Sequence, residues 1–156
     1  MAGSIERVTE AARLAGLDIE VRRMGASTRT SEEAAAQCGC GVAQIMKSLI
    51  FQGEASGRLY LFLLQGSSRL SLAKAEALTG EELTRAEPRL IRDRTGFAIG
   101  GVAPIGHLEP IDAFGEAALL DHAIVWAAAG AHDAVFSAEP GKLLEAAKAR
   151  IADIAE

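Results

Sequence analysis

Three sets of residues in this chain have the types and spacing to do chemistry. The first is Lys47, set in Gln44-Ile-Met-Lys-Ser-Leu-Ile-Phe51, a run otherwise fit for a protein core. With a strand beginning by Ile45, alternation puts Lys47 on the face of Leu49 and Phe51. An ammonium there is costly unless an anionic partner or a ligand meets it. A lysine at the start of a strand can also lay its stem along apolar surface and reach solvent, so residue type alone supports both readings. The second is Gly96-Phe-Ala-Ile-Gly-Gly-Val-Ala-Pro-Ile-Gly-His107, where four glycines and one proline sit among Phe97, Ile99, Val102 and Ile105. A helix or strand excludes so many glycines, and a flexible linker carries serines and charges instead. The segment reads as a loop packed on a core. Its bare backbone at Gly100 and Gly101 can offer a ligand N–H and C=O groups in fixed directions. A tight turn between two core strands is the plainer alternative. The third set is the histidines. His132 follows the apolar run ending in Gly130, a place where strand ends often present ligand-binding loops, though an exposed turn residue is the plainer reading. His107 closes the glycine loop, and His122 stands beside Asp121 before a strand.

Familiar machinery is missing around them. The histidines lack a His-Glu-x-x-His spacing, and there is no Gly-x-Ser-x-Gly elbow, phosphate-binding loop or dinucleotide fingerprint. Cys38 and Cys40 are the only cysteines; their spacing is too tight for an ordinary structural disulfide, and no second ligand pair completes a zinc site. Reduced thiols, together with an N-terminus that lacks the basic-then-apolar order of a signal peptide, give a cytoplasmic expectation. No apolar run is long enough to span a membrane. Net charge is −5, unevenly spread: residues 1–75 hold nine Lys/Arg against seven Asp/Glu, and residues 76–156 seven against fourteen. A protein that coats a duplex should be basic, so extended nucleic-acid binding is disfavoured. A small patch drawn from Arg22, Arg23, Arg29, Arg85, Arg89, Arg92 and Arg94 could still hold one end of a nucleic acid; singly, each also fits a solvated surface.

The elements that must position these residues alternate along 156 residues, a length suited to one domain spanning 1–156. Ser4 to Ala15 carries a helical stripe stopped by Gly16, and Leu17 to Val21 alternates as a half-buried strand does. Thr30 and Glu33 fit a capping box that opens a helix through Gln37. A helical turn over Val42 to Met46 leads into a strand at Ser48 to Phe51. A hairpin connection at Gln52 to Gly57 then leads to a strand over Arg58 to Gln65, buried on both faces. Ser71 caps a helix from Leu72 to Leu78, and Pro88 opens one to Thr95. Leu108 to Asp112, Ala123 to Ala129 and Asp133 to Ser137 read as strands, Ala117 to Leu120 as a helical turn, and Pro140 starts a last helix to Lys148 or Ala149. The fold class expected is α+β (mixed α/β), with a curved, mixed, largely antiparallel sheet flanked by helices.

Four segments together resemble the YbaK family and the related editing insertion domain of bacterial prolyl-tRNA synthetases. They are Ser27-Thr-Arg-Thr-Ser-Glu-Glu-Ala-Ala, the lysine block, the glycine loop with its Gly-Gly-Val-x-Pro-x-Gly-His pattern, and Val125-Trp-Ala-Ala-Ala-Gly-Ala-His-Asp-Ala-Val-Phe. They stand in the family's order across nearly the whole chain. The resemblance implies a free-standing deacylase that hydrolyses the ester between a wrong amino acid and the 3′-terminal ribose of a tRNA, without metal or other cofactor. It implies Lys47 as the residue needed for activity. It implies an aminoacyl pocket built from Gly100, Gly101, Val102, Pro104, Gly106 and His107, with Thr28, Thr30, Gly130 and His132 completing it. The family varies most at the loop here reading Gly130-Ala-His-Asp133, so His132 reads as a selectivity residue. Ser67 and Ser68 could shape a further wall or form a plain polar turn. The expected partners are the acceptor end of an aminoacyl-tRNA, with tRNA(Pro) or a near relative foremost, and a prolyl-tRNA synthetase. The competing readings are a non-catalytic module that binds an aminoacyl or nucleotide-like ligand or docks on a synthetase, and a hydrolase of small activated amino-acid esters.

Overall fold

Local sequence signals place most of the helices. The structure, a computed structural model, describes residues 3–156; Met1 and Ala2, which open the segment read against a signal peptide, lie outside them. Helix α1 (Ser4–Leu14) turns its stripe inward, with Val8 and Ala12 fully buried. Helix α2 (Ser31–Cys38) starts at the expected box: Glu33 N–H donates to Thr30 Oγ1 at 3.1 Å, and Thr30 N–H to Glu33 Oε1 at 3.1 Å. Helix α3 (Leu72–Thr79) is capped by Ser71, while α4 (Pro88–Thr95) and α5 (Pro140–Ala146) open on proline, whose missing N–H costs nothing in a first turn.

The strands are β1 (Arg22–Arg23), β2 (Ile45–Gly53), β3 (Leu59–Gln65), β4 (Leu83–Arg85), β5 (Asp112–Glu116), β6 (Val125–Ala128), β7 (Ala134–Ala138) and β8 (Arg150–Ala152). They form one mixed sheet in the order β1-β7-β6-β2-β3-β5-β8, with β4 added beside β2. The β2–β3 hairpin is its spine, and β3 is buried on both faces except at Gln65. One face packs on α1, the glycine loop and α5 through Met46, Ile50, Leu61, Leu63, Phe97 and Phe136. The other carries Tyr60, Phe62, Leu64, Phe114 and Ile154. Lys47 pairs with Leu64 and shares this second face with Leu49 and Phe51, as alternation predicts.

The mixed α/β expectation holds, and three local readings are corrected. Leu17 to Val21 forms no strand. Leu17, Ile19 and Val21 do pack on the core, but the chain finds a ladder partner only at Arg22–Arg23, opposite β7. Leu108 to Asp112 is loop up to Ile111, and the strand runs on from Asp112 instead, because Asp112 to Gly115 are the residues laid against β3. The turn before β2 is confined to Val42–Gln44, so the strand already begins at Ile45. Strands β4 and β8 carry too little apolar pattern in three residues each to stand out.

Candidate active site

The site begins with an interruption in the sheet. On the edge of β2 away from β3, Ile45 and Met46 pair with β6, and Phe51 to Gly53 pair with β4. Residues 47–50 between them have no partner strand on that side. A cavity of about 400 Å³ opens at this split, within the usual range of small-molecule sites. Its walls come from β2, from Thr28 to Ser31 at the start of α2, from Ile99, Gly100 and Val102 of the glycine loop, and from Trp126 to Ala128 of β6. Most of the lining is apolar. Arg29 and Arg85 stand exposed at its mouth, and neither guanidinium has a hydrogen-bond or ion-pair partner among the described residues.

Lys47 lines the cavity with a half-buried side chain. Its Nζ donates to the carbonyl oxygen of Gly66 at 3.3 Å and to that of Ser68, both in the turn after β3. Burial pushes its pKa below the usual lysine value; Glu32 and Glu116 oppose that shift and Arg69 adds to it. Glu116, 8% exposed at the end of β5, holds the same turn. Its carboxylate accepts Gln65 N–H at 3.0 Å and the Ser68 hydroxyl at 2.8 Å. His122 Nε2 lies 2.6 Å from Gln65 Oε1 and extends the network outward. The lysine is therefore neither solvent-directed nor free: a buried carboxylate fixes the carbonyls that fix its ammonium. Ser68 belongs to this support, and Ser67 is exposed beside it. Sequence reading missed Glu116, although a carboxylate closing the buried run Ala-Phe-Gly was the available signal.

The glycine loop divides between wall and frame. Gly100 and Val102 face the cavity. Gly100 has φ +92, and a Cβ there would lie 2.7 Å from Arg29 Cγ, so its bareness lets the arginine stem lie across the loop. Gly101 instead meets the other candidate loop: a Cβ would stand 2.9 Å from three backbone atoms of Ala131. Arg7 ties both ends of the segment, donating to Gly96 O at 2.5 Å and Gly106 O at 3.4 Å. Pro104 is buried, Gly106 packs on the backbone of α1, and His107 bonds Ala103 O at 2.8 Å with its ring edge-on to Phe97. None of these three lines the cavity. Gly130 sits against the start of α1, and Ser4 Oγ donates to its carbonyl at 2.7 Å. The His132 ring is exposed, and its carbonyl takes the N–H of Thr28 at 2.7 Å and the hydroxyl at 3.1 Å. Thr28, buried, and Thr30, capping α2, both line the cavity. Of the arginines, Arg22 lies over the Trp126 ring, Arg23 pairs with Asp133, and Arg94 reaches Gly57 O; only Arg29 and Arg85 reach the mouth.

The aminoacyl-tRNA editing domain family matches residues 26–146, a span that takes in the split, the lysine, the glycine loop and the turn at Gly66 to Ser68. The chain belongs to this family. A crystal structure provisionally described as a trans-editing enzyme for prolyl tRNA synthetase is 45% identical, with a TM-score of 0.91 covering 100% of this chain and 99% of that one. The hypothetical protein APE2540 is 31% identical with a TM-score of 0.88, over 97% of this chain and 100% of its own. The uncharacterized protein YwhH of Bacillus subtilis (strain 168) is 27% identical over 126 residues, 81% of this chain and 80% of YwhH. The editing-domain fold thus extends over the whole described chain. Among the described residues, no helix is long and apolar enough to cross a membrane.

Proposed function

We propose that this protein is a free-standing deacylase that hydrolyses the ester of a mischarged aminoacyl-tRNA, with tRNA(Pro) carrying a small wrong amino acid as the expected substrate. The observation that carries the proposal is Lys47. Its ammonium is held at the rim of a mostly apolar cavity by two carbonyls, leaving one N–H for a substrate oxygen. An aminoacyl ester is already activated, so positioning of water and stabilisation of the developing oxyanion suffice without a nucleophile. Lys47 supplies fixed positive charge rather than a base, because its lone pair is not available while three N–H groups are present. Gly100, Val102, Thr28 and Thr30 form the aminoacyl wall. Gly101, Pro104, Gly106, His107 and Gly130 hold that wall in place, and His132 contributes through the carbonyl that anchors Thr28. The unpaired guanidiniums of Arg29 and Arg85 suit the terminal phosphates of an acceptor end, which reconciles RNA binding with a net charge of −5.

A panel of tRNA(Pro) and related tRNAs charged with alanine, serine, cysteine or threonine tests this by loss of the ester. Lys47→Met, which keeps the stem, should lower turnover about 100- to 1,000-fold, the loss typical of one oxyanion-stabilising group. Full turnover by that variant overturns the assignment. Complex formation with prolyl-tRNA synthetase and no ester loss from any substrate would favour the docking module. Equal turnover of free amino-acid esters would favour the small-ester hydrolase.

A further inference from the structure

The bare edge of β2 has a polarity that can be read from its pairing. Gly53 N–H donates to Arg58 O and Gly66 N–H to Ile45 O, both at hydrogen-bonded positions of the β2–β3 ladder. In an antiparallel pair such positions alternate, so the odd-numbered residues of β2 turn their peptide groups to β3 and the even-numbered ones turn theirs away. Met46 and Gln52 spend theirs on the flanking strands. Ile50 turns its peptide groups to the same edge, next to the end of β4 at Phe51 and Arg85; Ser48, opposite Leu63, is the residue with neither strand beside it. Its N–H and C=O point together into the split. Its hydroxyl, on the face of Met46 and Ile50, is buried without a partner. A gap in a strand edge, with the donor and acceptor of its central residue open in the wall of a cavity, is a pairing site for one residue of extended chain.

We propose that the aminoacyl group of the substrate pairs with Ser48 as a one-residue strand. This rests on the deacylase reading and deepens it. An aminoacyl ester offers the complementary groups at the right separation: an α-ammonium to donate to Ser48 C=O and an ester carbonyl to accept from Ser48 N–H. Directly opposed residues of an antiparallel pair share a face, so the substrate side chain lies on the face of Met46 and Ile50, against Val102 and Ala127. When water attacks the carbonyl carbon, the negative charge gathers on the oxygen already facing Ser48 N–H. The carbon–oxygen bond to the ribose then breaks, the ribose oxygen keeps one proton of that water, and the other is released as the amino acid's carboxyl ionises. Ser48 N–H is thus the fixed oxyanion donor, and Ser48 C=O selects a free α-amine.

Replacing Ser48 in the full chain by its α-hydroxy acid, glyceric acid, changes one amide N–H to an ester oxygen and leaves the side chain. The melting temperature should fall only modestly: that N–H has no partner strand, and the sole ladder bond touched is the one the Lys47 carbonyl, now an ester, accepts from β3. Turnover should fall about 100- to 1,000-fold, as for loss of one oxyanion donor. On the substrate side, the wild-type protein should hydrolyse propionyl-, 3-hydroxypropionyl- and 3-mercaptopropionyl-tRNA(Pro) roughly 10- to 100-fold more slowly than the alanyl, seryl and cysteinyl counterparts that carry the amine. A glyceric-acid protein that stays within threefold of wild type, or des-amino substrates cleaved as fast as their parents, overturns the pairing while leaving the deacylase reading intact. A wild-type protein inactive on every member of the panel refutes both.

Discussion

Glu116→Gln separates a lysine held by its surroundings from one that merely lies near them. Glu116 is buried and accepts two hydrogen bonds, from Gln65 N–H and the Ser68 hydroxyl. A bond to a charged acceptor contributes about 1.5–3 kcal/mol, roughly twice a neutral one. The amide keeps one oxygen for one of the donors and presents its NH2 to the other, so the expected cost is about 2–3 kcal/mol. For a chain of this size that corresponds to a fall of roughly 4–12 °C in melting temperature. The catalytic consequence is separate. Lys47 faces Glu32 from α2, Glu116 from β5 and Arg69 from the loop after β3, and loss of the Glu116 charge leaves burial and Arg69 less opposed. Its folded pKa, already below the ordinary value, falls further. If the ammonium is the working form, activity is present below that pKa and disappears as pH rises through it, so the alkaline limb of the turnover profile moves to lower pH in the variant. Each 1.4 kcal/mol of lost positioning also costs about tenfold in rate, giving an expected fall of roughly 10- to 100-fold at pH 7.5. Deacylation measured from pH 6 to 10, well below the variant's melting temperature, reads both. Glu116→Asp, which restores charge without reach, should return the limb but not the full melting temperature. A Glu116→Gln profile that overlays wild type in limb and height refutes the argument.

Two further predictions concern the frame of the site. Gly101→Ala forces a Cβ to 2.9 Å from the backbone of Ala131, which has no rotamer to change, and should destabilise by about 2 kcal/mol or more. Gly100→Ala meets only the flexible Arg29 stem beyond its backbone strain, so it should raise KM more than it lowers melting temperature; equal stability losses in the two variants would contradict this division of wall and frame. His107 is half-buried beside Arg7; loss of solvent around the ring, and then the Arg7 charge, push its pKa below 6.5 despite the bond to Ala103 O. The folded protein therefore holds a neutral imidazole while the unfolded chain binds a proton near 6.5. Stability present above that pH is lost as pH falls through 6.5 towards the folded value. Thermal melts between pH 7.5 and 5.5 should show a slope that His107→Gln flattens, and an unchanged slope would remove His107 as its source.

The fold was legible where one residue type carries one physical meaning. The Thr30–Glu33 box, the two helix-opening prolines and the unbroken apolar run of β3 each point to one structure, and each formed as read. Leu17 to Val21 alternated correctly yet made no strand, because a ladder needs a partner and this segment pairs with β7 only from Arg22 on. The site was legible in part for the same reason. Lys47 stood out as a charge in an apolar run, but nothing in its neighbours told that its partners would be main-chain carbonyls of a turn nineteen residues on. The glycine motif marked one segment and concealed two tasks. Gly100 clears a path at the cavity, while Gly101 clears one for Ala131, and only the Cβ distances tell them apart.

On the deacylase reading we propose, the split beside β2 explains how ester hydrolysis can do without a nucleophile. A continuous sheet would have spent the peptide groups of Ser48 on a neighbour, as it does those of Met46 and Gln52. Leaving them open costs little provided a cavity lets water reach them in the free protein. What results is a donor and an acceptor fixed by a nine-residue strand that is braced along its other edge by the whole of β3. Such groups do not reorganise as charge develops, and that preorganisation is what an activated ester requires of its host. Lys47 adds charge from the opposite face of the same strand, one residue away. Donor and charge are thus locked in register by the backbone between them, and a shift of β2 by a single residue would exchange the faces and lose both.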